Sequence, residues 1–267
     1  MFSKVSRMFD HTPLLAHVQQ DLLGGDTVFP TCFQLSISIR QALNQPDVRV
    51  PDVARLIEAE PLLAAKLVHM ANCVTFNPFG RTVYGIEQAI HRVGFNVTRS
   101  LAVSIAVEQL KLLPSMAAYV GLANDAWERS VHIAALLRQL AQLEGQVNPD
   151  EALLCGLVSD MGCFYLLYRC TGMPQYGRSI DMVVDLLRQH SHHVGVPLLA
   201  SLGIPDDIVA AHRPARAPWG STARHLQSLL LEARRLQALP TPVPESEPRA
   251  SWLIAAQHHI NQLRQAL

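Results

Sequence analysis

The 267-residue chain predicts an all-α fold, a multi-helix bundle divided between two helical lobes. Three observations carry that expectation. Apolar residues recur three and four positions apart almost everywhere, alternating strand patterns are scarce, and turns with Gly, Pro or Asn cut the chain into many short segments. Helical spacing is plain in Val53, Leu56 and Ile57, and again in Leu63, Leu67, Val68 and Ala71. Between these two sets stands Glu60-Pro61. Proline fits the first turn of a helix and disfavours helix in the residue before it, so one helix ends near Glu58 and the next starts at Pro61. Further helices are predicted over 33–43, 86–93, 97–112, 126–143, 149–169, 180–191, 194–201 and 205–212, with turns such as Asn44-Gln45-Pro46-Asp47 and Phe76-Asn77-Pro78-Phe79-Gly80 between elements.

The chain is expected to divide into an N-terminal helical extension (1–24), a main domain (25–215), whose limits are what a family resemblance of its motifs implies, and C-terminal helices (216–267). Within the main domain, 25–115 and 116–215 form the two lobes, which meet near Leu112 to Leu122. Pro240, Pro242, Pro244 and Pro248, with Glu245, Ser246 and Glu247, make 239–249 an extended, exposed linker before a last amphipathic helix over 252–267. No repeat of fixed period is visible. Gly24-Gly25 is too short for a phosphate-cradling loop and lacks the lysine that follows one.

Composition narrows the function classes. Twenty-two basic residues balance 22 acidic ones, so nothing advertises bulk nucleic acid as a partner. The five cysteines, Cys32, Cys73, Cys155, Cys163 and Cys170, are odd in number and show no CxxC spacing, which argues against a disulfide framework and for reduced thiols. Lys4, Arg7 and Asp10 interrupt the N-terminus where a signal peptide would be apolar. The mainly apolar runs around 101–107 and 229–231 fall far short of the roughly 18 residues of a membrane span. The expectation is a soluble, cytoplasmic chain without a membrane partner.

Several motifs follow one another in a specific order. Phe29-Pro30-Thr31, Leu43-Asn44-Gln45-Pro46-Asp47, Val53-Ala54-Arg55-Leu56-Ile57 and Glu60-Pro61-Leu62-Leu63-Ala64-Ala65-Lys66-Leu67 lead to Ala71-Asn72, then Gly85-Ile86-Glu87-Gln88-Ala89-Ile90 and Val93-Gly94. This order resembles the N-terminal half of HDOD domains, over about residues 25–110. The segment from Trp127 to Ala134, Gly156-Leu157-Val158-Ser159-Asp160-Met161-Gly162, and Val194-Gly195 with Leu198-Leu199, Leu202-Gly203-Ile204-Pro205 and His212 resemble the HD-like half of the same family. That last stretch departs from the family at Ser191 and Leu202, which stand where a histidine and a tryptophan are usual. The resemblance implies a degenerate relative of HD and HD-GYP phosphohydrolases. HD enzymes hydrolyse phosphate esters, whereas HDOD proteins are regarded as bacterial signalling modules.

The resemblance also identifies the former metal-site positions. Where HD enzymes place a histidine on their first ligand helix this chain has Arg129, and where they place the His-Asp pair it has Ser159-Asp160. Arginine offers donors and no lone pair, and its charge repels a divalent ion. Asp160 alone survives. Two alternatives follow: Arg129 pairs with Asp160 as a cation where the ion would have been, or both face solvent separately.

Other residues carry weaker signals. His190, His192 and His193 lie together and His212 follows two predicted helices later, with His190 and His193 expected on one helix face; a metal site is one reading and a histidine group at a helix end the commoner one. Cys155 and Cys163, on what reads as one apolar helix, are expected to be buried small hydrophobes rather than a redox pair. Asn72 reads most simply as a helix-end cap, with ligand contact as the alternative. Phe76, Phe79 and Tyr84 either pack on the preceding helix or face a partner.

The expected function is a non-catalytic signal-transduction module acting through a regulatory protein partner, with no metal, no cofactor and no catalytic residue. Two alternatives stay open. One is a divergent phosphohydrolase using Asp160, His193 and His212; the other is a sensor of a nucleotide second messenger whose phosphate meets Arg129 in the former metal pocket, with Asp160, His193 and His212 as the remaining pocket residues.

Overall fold

A computed structural model describes residues 9–24, 38–39, 41–43, 45, 47–202, 204–214 and 221–238. Ten helices of more than one turn are described: α1 (Thr12–Gly24), α2 (Val50–Glu58), α3 (Pro61–Asn72), α4 (Ile86–Lys111), α5 (Val120–Glu144), α6 (Pro149–Leu157), α7 (Met161–Thr171), α8 (Ile180–Ser201), α9 (Asp206–Ala211) and α10 (Ser221–Gln237). Two 3₁₀ turns, Pro114–Tyr119 and Tyr176–Arg178, join them, and no strand occurs among the described residues. The linker over 239–249 and the helix over 252–267 lie outside the described residues, as does most of the helix over 33–43.

Apolar side chains form two cores. The first gathers Ile39, Val53, Ile57, Leu63, Leu67 and the first two-thirds of α4 up to Ile105. The second gathers α5 to α10 with Ala106, Val107 and Leu110 from the end of α4. One long helix is therefore shared, and its face changes core between Ile105 and Ala106. α1 joins the second core through Leu14 and Val18 although it precedes the first in sequence. Polar contacts hold it there: Tyr165 donates to Asp21 at 2.9 Å, Arg169 pairs with the same carboxylate at 3.0 Å, and His11 is hydrogen-bonded to Tyr176 at 3.0 Å.

The break expected between the helices over 86–93 and 97–112 is present inside α4 at Gly94, whose φ of 82° and ψ of 166° leave the helical region at a cost only glycine avoids. Three other predicted boundaries differ from those observed, the first being the helix expected from Ala126, which starts at Val120. The single helix expected over 149–169 is broken by a turn at 158–160 into α6 and α7. Apolar periodicity runs straight through that break, where the Ser159 N–H turns back to Gly156 O and the Asp160 carboxylate is drawn to Arg129. Cys155 and Cys163 consequently lie on different helices. Conversely, the two helices expected over 180–191 and 194–201 are one, α8, with Pro197 inside it. A run of serine and histidines is polar without being a backbone barrier, so it reads as a turn in sequence and continues as helix.

Among the described residues one stretch, Pro149–Thr171, is long and apolar enough to cross a membrane, and 78% of its apolar window is buried inside the protein. The turn at 158–160 divides it, as suits a pair of core helices.

Candidate functional site

The turn at 158–160 is where the second lobe concentrates its polar chemistry. It is held by Ser159 N–H donating to Gly156 O at 3.1 Å and Met161 N–H to Val158 O at 3.2 Å, and Asp160 becomes the N-cap residue of α7. Behind it, α7 meets α8 in near backbone contact: a Cβ on Gly162 would stand 2.0 Å from the Ser191 carbonyl oxygen and 2.7 Å from the Gly195 nitrogen. Only glycine allows that approach. It brings the 158–160 turn against the middle of α8.

Arg129 reaches this turn from α5. Its Nε donates to Asp160 Oδ2 at 3.1 Å, with the arginine side chain 48% and the aspartate 22% exposed. The ion pair forms, so the alternative of two separate solvent-facing side chains is not what the structure contains. Burial raises the Asp160 carboxyl above its ordinary range, against the opposing pull of Arg129 and then Arg234. Ser159 Oγ is buried without a hydrogen-bond partner.

The histidines do not act as a group. His190 turns toward α1, its ring edge-on to His11 at a centroid distance of 5.8 Å. His192 and His193 are both exposed and stand edge to face at 6.2 Å. Burial, then Arg234 and His193, lower the pKa of His192. His212 is 3% exposed; its Nδ1 is hydrogen-bonded to Ile208 O at 2.9 Å while Nε2 has no hydrogen-bond partner of good geometry. Burial, chiefly, pushes His212 down to about 4, so the ring is neutral at ordinary pH. Among the described residues, no three His, Cys, Asp or Glu side chains come together in a way that could hold a metal ion.

Two contributors escaped sequence reasoning because α10 was not recognised as part of this lobe. Gln237 Nε2 donates to the Arg129 carbonyl at 3.1 Å, and Arg234, one turn earlier, lies close enough to act on Asp160, His192 and His212. The only signal in the sequence was the apolar spacing of Leu226, Leu229, Leu230, Ala233 and Leu236, all buried here. Cys155 and Cys163 are buried free thiols that burial pushes up to about 12, the behaviour of small hydrophobes.

The first lobe uses polar groups otherwise. Asn72 donates to Val68 O and Val83 O and accepts from Val83 N–H, and Arg92 donates to Ala71 O and Arg81 O. Asn72 is thus more than a cap: it ties the 73–85 loop to the end of α3. On that loop Phe79 and Tyr84 are 89% and 84% exposed, while Phe76 is half-buried under the Arg138 guanidinium.

Comparison with solved structures finds the same fold. A protein from Shewanella amazonensis SB2B, provisionally described as a metal-dependent phosphohydrolase, superposes with a TM-score of 0.61 at 20% identity, covering 93% of this chain and 89% of that one. An HDOD domain protein of unknown function from Geobacter sulfurreducens gives 0.57 at 20% identity, over 91% of this chain and 85% of that one. A protein from Marinobacter aquaeolei VT8, provisionally described as a signal transduction protein, gives 0.57 at 20% identity, over 95% of this chain and 62% of that one. No curated protein matches the sequence. The HDOD domain model matches residues 29–218, more than half of the chain and both of its cores, and the protein belongs to the HDOD family.

Proposed function

We propose that the protein is a non-catalytic regulatory module of bacterial signal transduction that works by binding a protein partner. The observation that carries this reading is the Arg129–Asp160 ion pair. A metal-dependent hydrolase needs neutral histidines and carboxylates converging on its ion, and here a permanent cation is bonded to the one carboxylate at the former metal site. The exposed Phe79 and Tyr84, on a loop tied down by Asn72 and Arg92, support the partner-binding part: a rigid aromatic surface loses little entropy on docking.

The test is metal analysis of the purified protein combined with assays on cyclic dinucleotides and simple phosphate esters. No stoichiometric Mn, Fe, Mg or Zn and no metal-dependent hydrolysis are expected. Arg129→His together with Ser159→His should gain metal affinity where either change alone does little, because one added ligand leaves too few donors. Wild-type protein with a divalent ion coordinated through Asp160, and turnover of a phosphodiester, would overturn the proposal. A second reading, recognition of a nucleotide phosphate in the same pocket, is favoured by Arg234. The divergent-hydrolase reading has less support, since His193 is exposed and His212 is already hydrogen-bonded to its own helix.

A further inference from the structure

Arg234 is half-buried, and among the described residues it makes no hydrogen bond or ion pair. A cation in that setting ordinarily has a partner. Its position follows from packing: Gln237, three residues on and therefore on the same face of α10, donates to the Arg129 carbonyl, while Ala233 and Leu236 are buried in the second core. The two arginines thus approach the 158–160 turn from α10 and α5. Arg129 bonds Asp160 through Nε, its guanidinium also meets the Cys163 thiol, and its side chain remains 48% exposed. Ser159 Oγ is a buried polar atom without a hydrogen-bond partner at the same turn, and His212 Nε2, on a side chain 3% exposed, has only the Cys155 backbone beside it. Burial is the main influence on Asp160, His192 and His212, and the charge of Arg234 adds to it at each, in keeping with that approach.

We propose that this cluster binds the phosphoryl group of a small soluble phosphate ester, with Arg129 and Arg234 as the two arms of a clamp and the Ser159 hydroxyl as a further donor. The inference rests on the regulatory reading above and deepens its nucleotide branch; no bond in the ligand is broken. Two guanidinium groups against one carboxylate leave a net positive charge at a partly exposed site, open to a soluble ligand. A tetrahedral phosphoryl group has enough oxygens to meet two guanidinium forks and a hydroxyl together, whereas a planar carboxylate satisfies one fork. Asp160 opposes the ligand's charge, and its bond to Arg129 offsets that repulsion. The cluster is a single clamp on a chain of zero formal charge, which suits a small ligand better than a polynucleotide backbone.

The experiment is calorimetric titration of the full chain with inorganic phosphate and with adenosine monophosphate, for wild type, Arg234→Met, Arg234→Lys and the Arg129→Met/Arg234→Met double variant, each checked for helical content. Saturable binding by wild type is expected, weakened about tenfold or more in Arg234→Met, partly restored in Arg234→Lys and lost in the double variant. Tighter binding of the nucleotide than of phosphate would identify the ester as the source, and equal binding would identify free phosphate. The proposal is overturned if neither probe binds saturably at about 10 mM, or if Arg234→Lys and the double variant bind as wild type does. Such a result leaves the metal and turnover measurements standing, so failure of the clamp and failure of the regulatory reading are separate outcomes.

Discussion

The two lobes use buried polar side chains to opposite ends. In the first, Asn72 and Arg92 bond backbone groups of the 73–85 loop and leave the loop's aromatic residues outside. In the second, Arg129, Ser159, Asp160, His212 and Arg234 converge from α5, the 158–160 turn, α9 and α10, and the Ser159 hydroxyl has no partner. The first arrangement completes the hydrogen bonding of a surface loop. The second leaves some incomplete, and unsatisfied buried groups cost stability that a purely structural cluster has no reason to forgo. Polar burial by itself therefore does not mark a site; here the mark is an ion pair, an unpartnered hydroxyl and a second cation brought together.

The change expected to separate the lobes most is Gly162→Ala. Its Cβ would meet backbone atoms of α8, which cannot rotate aside, so α7 and α8 must part; overpacking of this kind costs about 3 kcal/mol or more. Urea unfolding should show the loss, and hydrogen exchange should place it in α7 and α8 with the 73–85 loop unaffected. Equal loosening of that loop would mean the shared helix α4 couples the lobes more tightly than their separate cores suggest.

Acid titration comes next. His212 has a folded pKa depressed to about 4 from 6.5, so its contribution to stability is full above pH 6.5 and lost as the pH falls toward 4, a change on the order of 3 kcal/mol. His212→Gln, which keeps a polar side chain and cannot titrate, should flatten the stability profile across that window. A variant profile as steep as that of wild type would show that the acid sensitivity arises elsewhere.

The smallest effect belongs to the first lobe. Asn72→Ala removes three hydrogen bonds at a partly exposed position, so roughly 1–2 kcal/mol is expected, with faster exchange of the Val83 amide and an unchanged second lobe. Unchanged Val83 exchange would remove the strap from the comparison and leave Arg92 as the loop's tie.

The helical class, the boundary at Glu60-Pro61, and the departures at Arg129 and Ser159 were legible in the sequence, because side-chain period, proline geometry and ligand chemistry are properties of a residue and its near neighbours. The Arg129–Asp160 pair was an alternative that sequence could pose and only coordinates could resolve. The break between α6 and α7 was hidden by apolar spacing that continues across it, and α8 by a polar run that imposes no backbone constraint. That α10 brings Gln237, and with it Arg234, against Arg129 depended on how helices far apart in the chain pack together. Packing depends on the summed burial of Leu226, Leu229, Leu230, Ala233 and Leu236 against α5, α6 and α9. Local pattern determines that such a face exists, and tertiary structure decides what it covers, because burial free energy is non-directional and the partner surface is made by other parts of the chain.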